Sequence, residues 1–270
     1  MSKIGNAISE IHSMDTLAAR DQWVNRIHPL VKFILTIGYI IAVVSFDKYD
    51  VIGLFGMIVY PLALFILSDL SFPDSIKRLR VVLPFICLMG ILNPFFDNNA
   101  VLIAGARINA GVLSMITLIL KGVFSVLASY LLIATTSVEK LCYAFRMLHI
   151  PGAVVTQFML TYRYITVLLE EVNRVTQAYS LRAPGQKGIH FKVWGSLAGQ
   201  LLLRSMDRAN DVYESMLLRG YQGNYLYMKE RIPFRMQDTV YLLFWLGMIV
   251  LFRIYPVVLI IGSLTGGMFS

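Results

Sequence analysis

The stretch "AVVTQFMLTYRYITVLLEEVNRVTQAYSLR" at 153–182 decides how the chain is read. Val154, Phe158, Tyr162, Ile165 and Leu169 recur at helical spacing. Arg163, Glu170, Glu171, Arg174 and Arg182 interrupt any apolar run. The pattern is that of a long amphipathic helix, with one face for packing and one for water. A second stretch, "GSLAGQLLLRSMDRANDVYESMLLR" at 195–219, repeats the design. Leu197, Leu201, Ala209, Val212 and Met216 line one side, and Arg204, Asp207, Arg208, Asp211 and Glu214 another. The link "APGQKGIHFKVW" reads as a turn because it holds Pro184, Gly185 and Gly188.

Outward from this block the chain turns apolar. It is 57% hydrophobic and 15% charged over 270 residues, where a soluble domain is nearer a quarter charged. Segments near 30–46, 51–68, 81–96, 112–134 and 240–262 are long and nearly free of charge. A spanning helix needs about 20 apolar residues, so the shorter segments need help from tilt or flanks. These readings define an all-α integral membrane protein of about five transmembrane helices plus two long amphipathic cytoplasmic helices. Three regions follow: 1–136 with about four spans, 137–236 with the amphipathic helices, and 237–270 with a last span. "DSIKRLR" is read as a loop after span two, and "NPFFDNN" at 93–99 as the stop of span three, because of Pro94 and its asparagines. No cleavable leader is read in the first 29 residues, which lack an apolar core.

Charge sets the expected orientation. The 137–236 stretch holds more than half of the 24 Lys and Arg residues, and the 69–80 loop holds Lys77, Arg78 and Arg80. The 47–50 turn is acidic-leaning. By the positive-inside rule the N-terminus, the 69–80 loop and 137–236 are cytoplasmic. The net charge of +8 is therefore assigned to cytoplasmic loops and not to nucleic acid. Lys121 sits inside a span, where a functional role and internal pairing or snorkelling are equally open, and Arg253 is read as marking a helix end before Pro256 or snorkelling outward.

Chemistry-bearing constellations are sparse. There is no GxxxxGK[ST], so the chain is not expected to bind ATP. His12, His28, His149 and His190 are scattered and have no carboxylates gathered beside them, so no metal site is expected. Cys87 and Cys142 lie in different segments, which speaks against a disulfide. Glu170 and Glu171 share a helix with Arg163 and Arg174, so ordinary salt bridging along that helix is expected in place of acid–base chemistry, and no catalytic residue is expected.

Each amphipathic helix ends on aliphatic–Arg–small: Leu181, Arg182, Ala183 and Leu218, Arg219, Gly220. One such arginine is explained by the helix macrodipole, at about 0.3–1 kcal/mol. Two on consecutive helices suggest exposed guanidinium forks that dock in carboxylate-lined or aromatic grooves of a partner.

With these motifs the chain resembles the transmembrane T component of energy-coupling factor (ECF) transporters, a group of ABC importers, and within it the cobalt-type CbiQ proteins. The likeness runs through "WVNRIHPLVK", "FDKYD", "NPFFD", "LLIATT", "YRYITVLLEE", "VWGSLAGQLLLRSMDRA" and "MLLRGYQG". Ala183 departs from the family pattern, in which Gly is common. The resemblance implies a non-catalytic coupling subunit in a prokaryotic cell membrane, with cobalt as the expected cargo. Its partners would be two ATP-binding cassette subunits, or a homodimer of one, and a substrate-binding component embedded in the bilayer. ATP would be bound by those partner subunits, with no cofactor in this chain. Arg182 and Arg219 would dock in the ATPases, and Val154, Phe158, Leu201 and Val212 would belong to a platform for the substrate-binding component. Nickel or a vitamin is the alternative cargo. A stand-alone secondary transporter is the alternative class, and it would show intramembrane carboxylates or repeated halves.

Overall fold

The computed structural model describes residues 3–70, 72–96, 100–103, 106–186, 188–223 and 232–255. Residues 97–99 of the third-span stop, 256–262 of the fifth span, and Lys187, Lys229 and Arg231 of the basic block lie outside the described residues. In chain order the elements are α1 (Lys3–Ala18), α2 (Trp23–Arg26), α3 (Pro29–Val44), α4 (Val51–Gly56), α5 (Val59–Leu67) and α6 (Phe72–Phe96). A hairpin of β1 (Ala100–Ile103) and β2 (Ala106–Asn109) follows, with Ala100 opposite Asn109. Then come α7 (Ala110–Thr135), α8 (Val138–Met147), α9 (Gly152–Arg182), α10 (Phe191–Leu218) and α11 (Met236–Ile254). Counting described residues only, contacts group these into two compact units. One holds Met1–Leu17 and Ser137–Arg231, the other Ala18–Thr136 and Ile232–Ser270.

In the second unit, α3 is the central helix. Pro29 sits at its first turn, where a missing N–H costs nothing, and the His28 side chain accepts from Leu30 N–H at 3.2 Å. Val31, Leu35, Tyr39 and Val43 are buried at four-residue spacing, while Ile37, Ile41 and Val44 are exposed. Tyr39 stacks on Tyr60 at 4.6 Å, and Trp245 meets Tyr60 edge-on at 5.1 Å. The second apolar segment, expected as one helix, is broken into α4 and α5 at Met57 and Ile58. Pro61 is the reason: it has no N–H for the Met57 carbonyl four residues back. Tyr39 Oη donates to that carbonyl at 2.9 Å instead.

Two other boundaries differ from expectation. "DSIKRLR" forms the first turns of α6 and is not a loop, and α6 runs through Pro84 and Pro94 to Phe96. Packing on α7 supports this helix. A Cβ on Gly122 would lie 2.8 Å from Ile86, so only glycine permits this close approach.

Four polar contacts fix the direction of three helices. At one end, Asp238 of α11 accepts from His28 N–H at 2.9 Å, and Lys32 Nζ donates to the Thr135 carbonyl of α7 at 2.7 Å. At the other end, Lys121 Nζ donates to the Val44 carbonyl at 3.1 Å and to that of Phe46. Arg253 donates to the Ser45 carbonyl at 3.0 Å and lies over the Phe46 ring. Lys121 and Arg253 thus satisfy the carbonyls at the end of α3, which helices leave unpaired. The starts of α3 and α11 and the end of α7 share one end of this unit.

Among the described residues three helices are long and apolar enough to cross a membrane by length and composition: Ala110–Thr135, Gly152–Arg182 and Met236–Ile254, the second of which the sequence reads as amphipathic and cytoplasmic. Shorter apolar helices cover Pro29–Val44, Val51–Leu67 and Arg80–Ile91.

Candidate interaction surface

The first unit is built on α9 and α10. Helix α10 begins at Phe191, four residues before its expected start, with His190 as N-cap, so the turn is shorter than the sequence suggests. Leu160, Tyr164 and Leu168 of α9 and Ser205, Val212 and Met216 of α10 line an open groove of about 470 Å³. Glu171 lies beside Arg204 on the adjoining cleft. Rising residue numbers on α9 meet falling ones on α10, so the helices run in opposite senses where they touch.

The expected platform residues are divided by this arrangement. Val212 lines the apolar groove, and Leu201 lines the charged cleft with Glu171, Arg204 and Asp207. Val154 and Phe158 are 57% and 49% exposed, on a neighbouring face of α9. Phe158 meets Phe145 of α8 edge-on, and further along that face Tyr162 Oη donates to Asp15 of α1 at 2.7 Å. The expected salt bridging along α9 is present. Glu171 is the carboxylate that pairs, with Arg174 one turn on at 3.8 Å and with Arg204 across the helices. Periodicity could not choose between adjacent glutamates, because the choice depends on where α10 lies.

The two arginine ends are reached by different geometries. In α10, Arg219 is the C-cap and Gly220 takes φ +81°. Gly220 N–H donates to the Leu217 carbonyl at 2.9 Å and Tyr221 N–H to that of Met216 at 3.0 Å, the paired bonds of a Schellman motif. No atom comes within 4 Å of a Cβ built there, so conformation and not space demands glycine. In α9, Ala183 is the C-cap with φ −124°, which alanine adopts freely. The positive φ falls instead on Gly185, at +96°. Pro184 and Gly185 occupy the centre of a turn closed by Gln186 N–H on the Ala183 carbonyl at 3.3 Å, a type II pattern. Tyr179 Oη donates to Gln186 Oε1 at 2.8 Å and braces it. Gly220→Ala should therefore cost about 1 kcal/mol in unfolding free energy, while Ala183→Gly should change it by less. Equal effects in chemical denaturation would contradict the two-geometry account.

Arg182 and Arg219 are both exposed, and among the described residues neither guanidinium makes a hydrogen bond or ion pair. The leucines before them, Leu181 and Leu218, are 83% and 90% exposed. The arginines are not brought together. Arg219 shares a small pocket with Leu160, Arg163 and Tyr164, and Arg182 lies about 19 residues beyond Arg163, about 28 Å along the helix axis. No residue of α10 is buried, although Trp194, Leu202, Leu203, Met206 and Leu217 are large and apolar.

The apolar helices and the buried polar anchors between them define a multi-pass helical membrane protein. The family model of the cobalt transport protein CbiQ matches residues 20–228, and the chain belongs to that family. This places it in the membrane of a prokaryotic cell. It is also 24% identical to the energy-coupling factor transporter transmembrane protein EcfT of Thermosediminibacter oceani, over 74% of this chain and 80% of that protein. Two uncharacterized proteins of Methanocaldococcus jannaschii are 30% and 35% identical over 50% and 33% of this chain. The chain's match spans 46% and 34% of the lengths of those two relatives.

Proposed function

We propose that the chain is the coupling subunit of an ATP-driven importer of the energy-coupling factor type. In this reading, ATP-binding cassette subunits dock at Leu181–Arg182–Ala183 and Leu218–Arg219–Gly220. A membrane-embedded substrate-binding component rests on a platform that includes Val154, Phe158, Leu201 and Val212, and cobalt is the cargo. The observation that carries this is α10: it presents large apolar side chains along its length, buries none, and ends on an exposed Leu–Arg pair. A helix of this kind gains its stability from a partner, because propensity alone is marginal in water. The chain itself is proposed to have no catalytic role and to bind no cofactor, with ATP held by the cassette subunits. The separation of the two arginines suits two docking sites, one on each cassette subunit. Cobalt rests on the family description, and the choice among metals is assigned to the substrate-binding partner. Cobalt uptake by cells carrying the chain with its co-purifying proteins tests the cargo. Uptake of nickel or a vitamin in its place would overturn it.

The side of the membrane follows from charge and parity together. Four expected spans precede residue 137, and the 137–231 stretch is rich in Lys and Arg, so it is assigned to the cytoplasm. Single cysteines at Gln186 and Gln222, in a background lacking Cys87 and Cys142, should resist an impermeant thiol reagent in intact cells. Both should react after lysis. Labelling in intact cells would reverse the orientation.

A further inference from the structure

We infer that Glu171 is a positioning residue that latches α9 to α10 and so sets the span between the two arginine ends. The inference rests on the coupling reading above for its consequence, though not for its geometry. The Glu171 side chain is 22% exposed and accepts from Arg204 of α10. Among the described residues no other ion pair joins the two helices. The pair stands where they touch, at the border between the apolar groove and the charged cleft. Arg182 lies beyond it on α9 and Arg219 beyond it on α10, toward opposite ends. A small rotation at the contact is therefore magnified at both tips. The groove is open and mostly apolar, so it offers little to resist such a rotation. Arg174 also approaches Glu171, but from the same helix, and cannot hold the pair together.

The test is a distance measured on the purified full chain in lipid nanodiscs, with spin labels on cysteines at Gln177 and Glu214 and with Cys87 and Cys142 replaced. Glu171→Gln and Arg204→Gln should each broaden the distance distribution. The double variant should be no broader than either single, as a thermodynamic cycle requires of two groups acting only through each other. Arg174→Gln should leave the distribution as in the parent. Transport by the assembled complex should fall about two- to fivefold in both single variants and no further in the double. An unchanged distribution in Glu171→Gln, or additive broadening, overturns the latch. Because the distance is read without any partner, that outcome is separate from failure of the coupling reading. The latter would appear as a broadened distribution with undiminished transport and ATPase retention.

Discussion

Replacing Arg182 and Arg219 together by alanine is expected to abolish retention of the ATPase subunits, and transport with it. Among the described residues neither guanidinium makes a hydrogen bond or ion pair, so their loss removes no such bond there, and the subunit itself should fold and insert normally. If they served only the helix macrodipole, each would contribute about 0.3–1 kcal/mol and assembly would survive. As docking groups they would be desolvated against charged or aromatic groups of the ATPase. Removing one member of such a pair typically costs about 2–5 kcal/mol. Each single variant should therefore weaken retention by at least about thirtyfold. The double variant should lose it altogether, because two tethered contacts provide avidity that one does not. Lysine should rescue poorly, since a point charge lacks the planar fork. The measurement is pull-down of the ATPases, with transport, for the singles, the double and the lysine pair. Full retention in the double alanine variant would refute docking at these residues.

The second large effect concerns the fold. Asp238→Ala should destabilise the protein by about 3 kcal/mol, because two backbone donors lose a charged acceptor. Asp238 is 4% exposed and accepts from His28 N–H at 2.9 Å and from Arg235 N–H at 2.8 Å. It thereby closes the first turn of α11 and ties it to the start of α3. Alanine leaves the buried His28 N–H and the part-buried Arg235 N–H without this acceptor. Asparagine keeps one accepting oxygen and should fall between alanine and the parent. Unfolding in mixed detergent micelles would show the order, and parental stability in Asp238→Ala would remove this carboxylate from the account of the fold.

The sequence by itself determined the class of the protein and most of its elements. Apolar length was sufficient for α7 and α11, since spanning a bilayer is a requirement on one segment at a time. Helical spacing and Pro–Gly punctuation were sufficient for the long helices that end at Arg182 and Leu218. The leucine, arginine and small residue at each end were legible for the same reason: helix termination is local.

Tertiary structure alone decided what depends on a second segment. The break between α4 and α5 holds because Tyr39, on another helix, satisfies the carbonyl that Pro61 leaves open. Lys121 and Arg253, anomalous as sequence, acquire a purpose once α7 and α11 lie beside the end of α3. Glu171 bridges to Arg204 of α10, a pairing across helices that spacing along one helix does not record. Val154 and Phe158 fall on a different face from the groove that Val212 lines. The grouping of Met1–Leu17 with 137–231 rests on contacts such as Tyr162 to Asp15, made across most of the first half of the chain. Periodicity records which residues share a face of one helix, and the neighbour that face meets is set only when the helices pack.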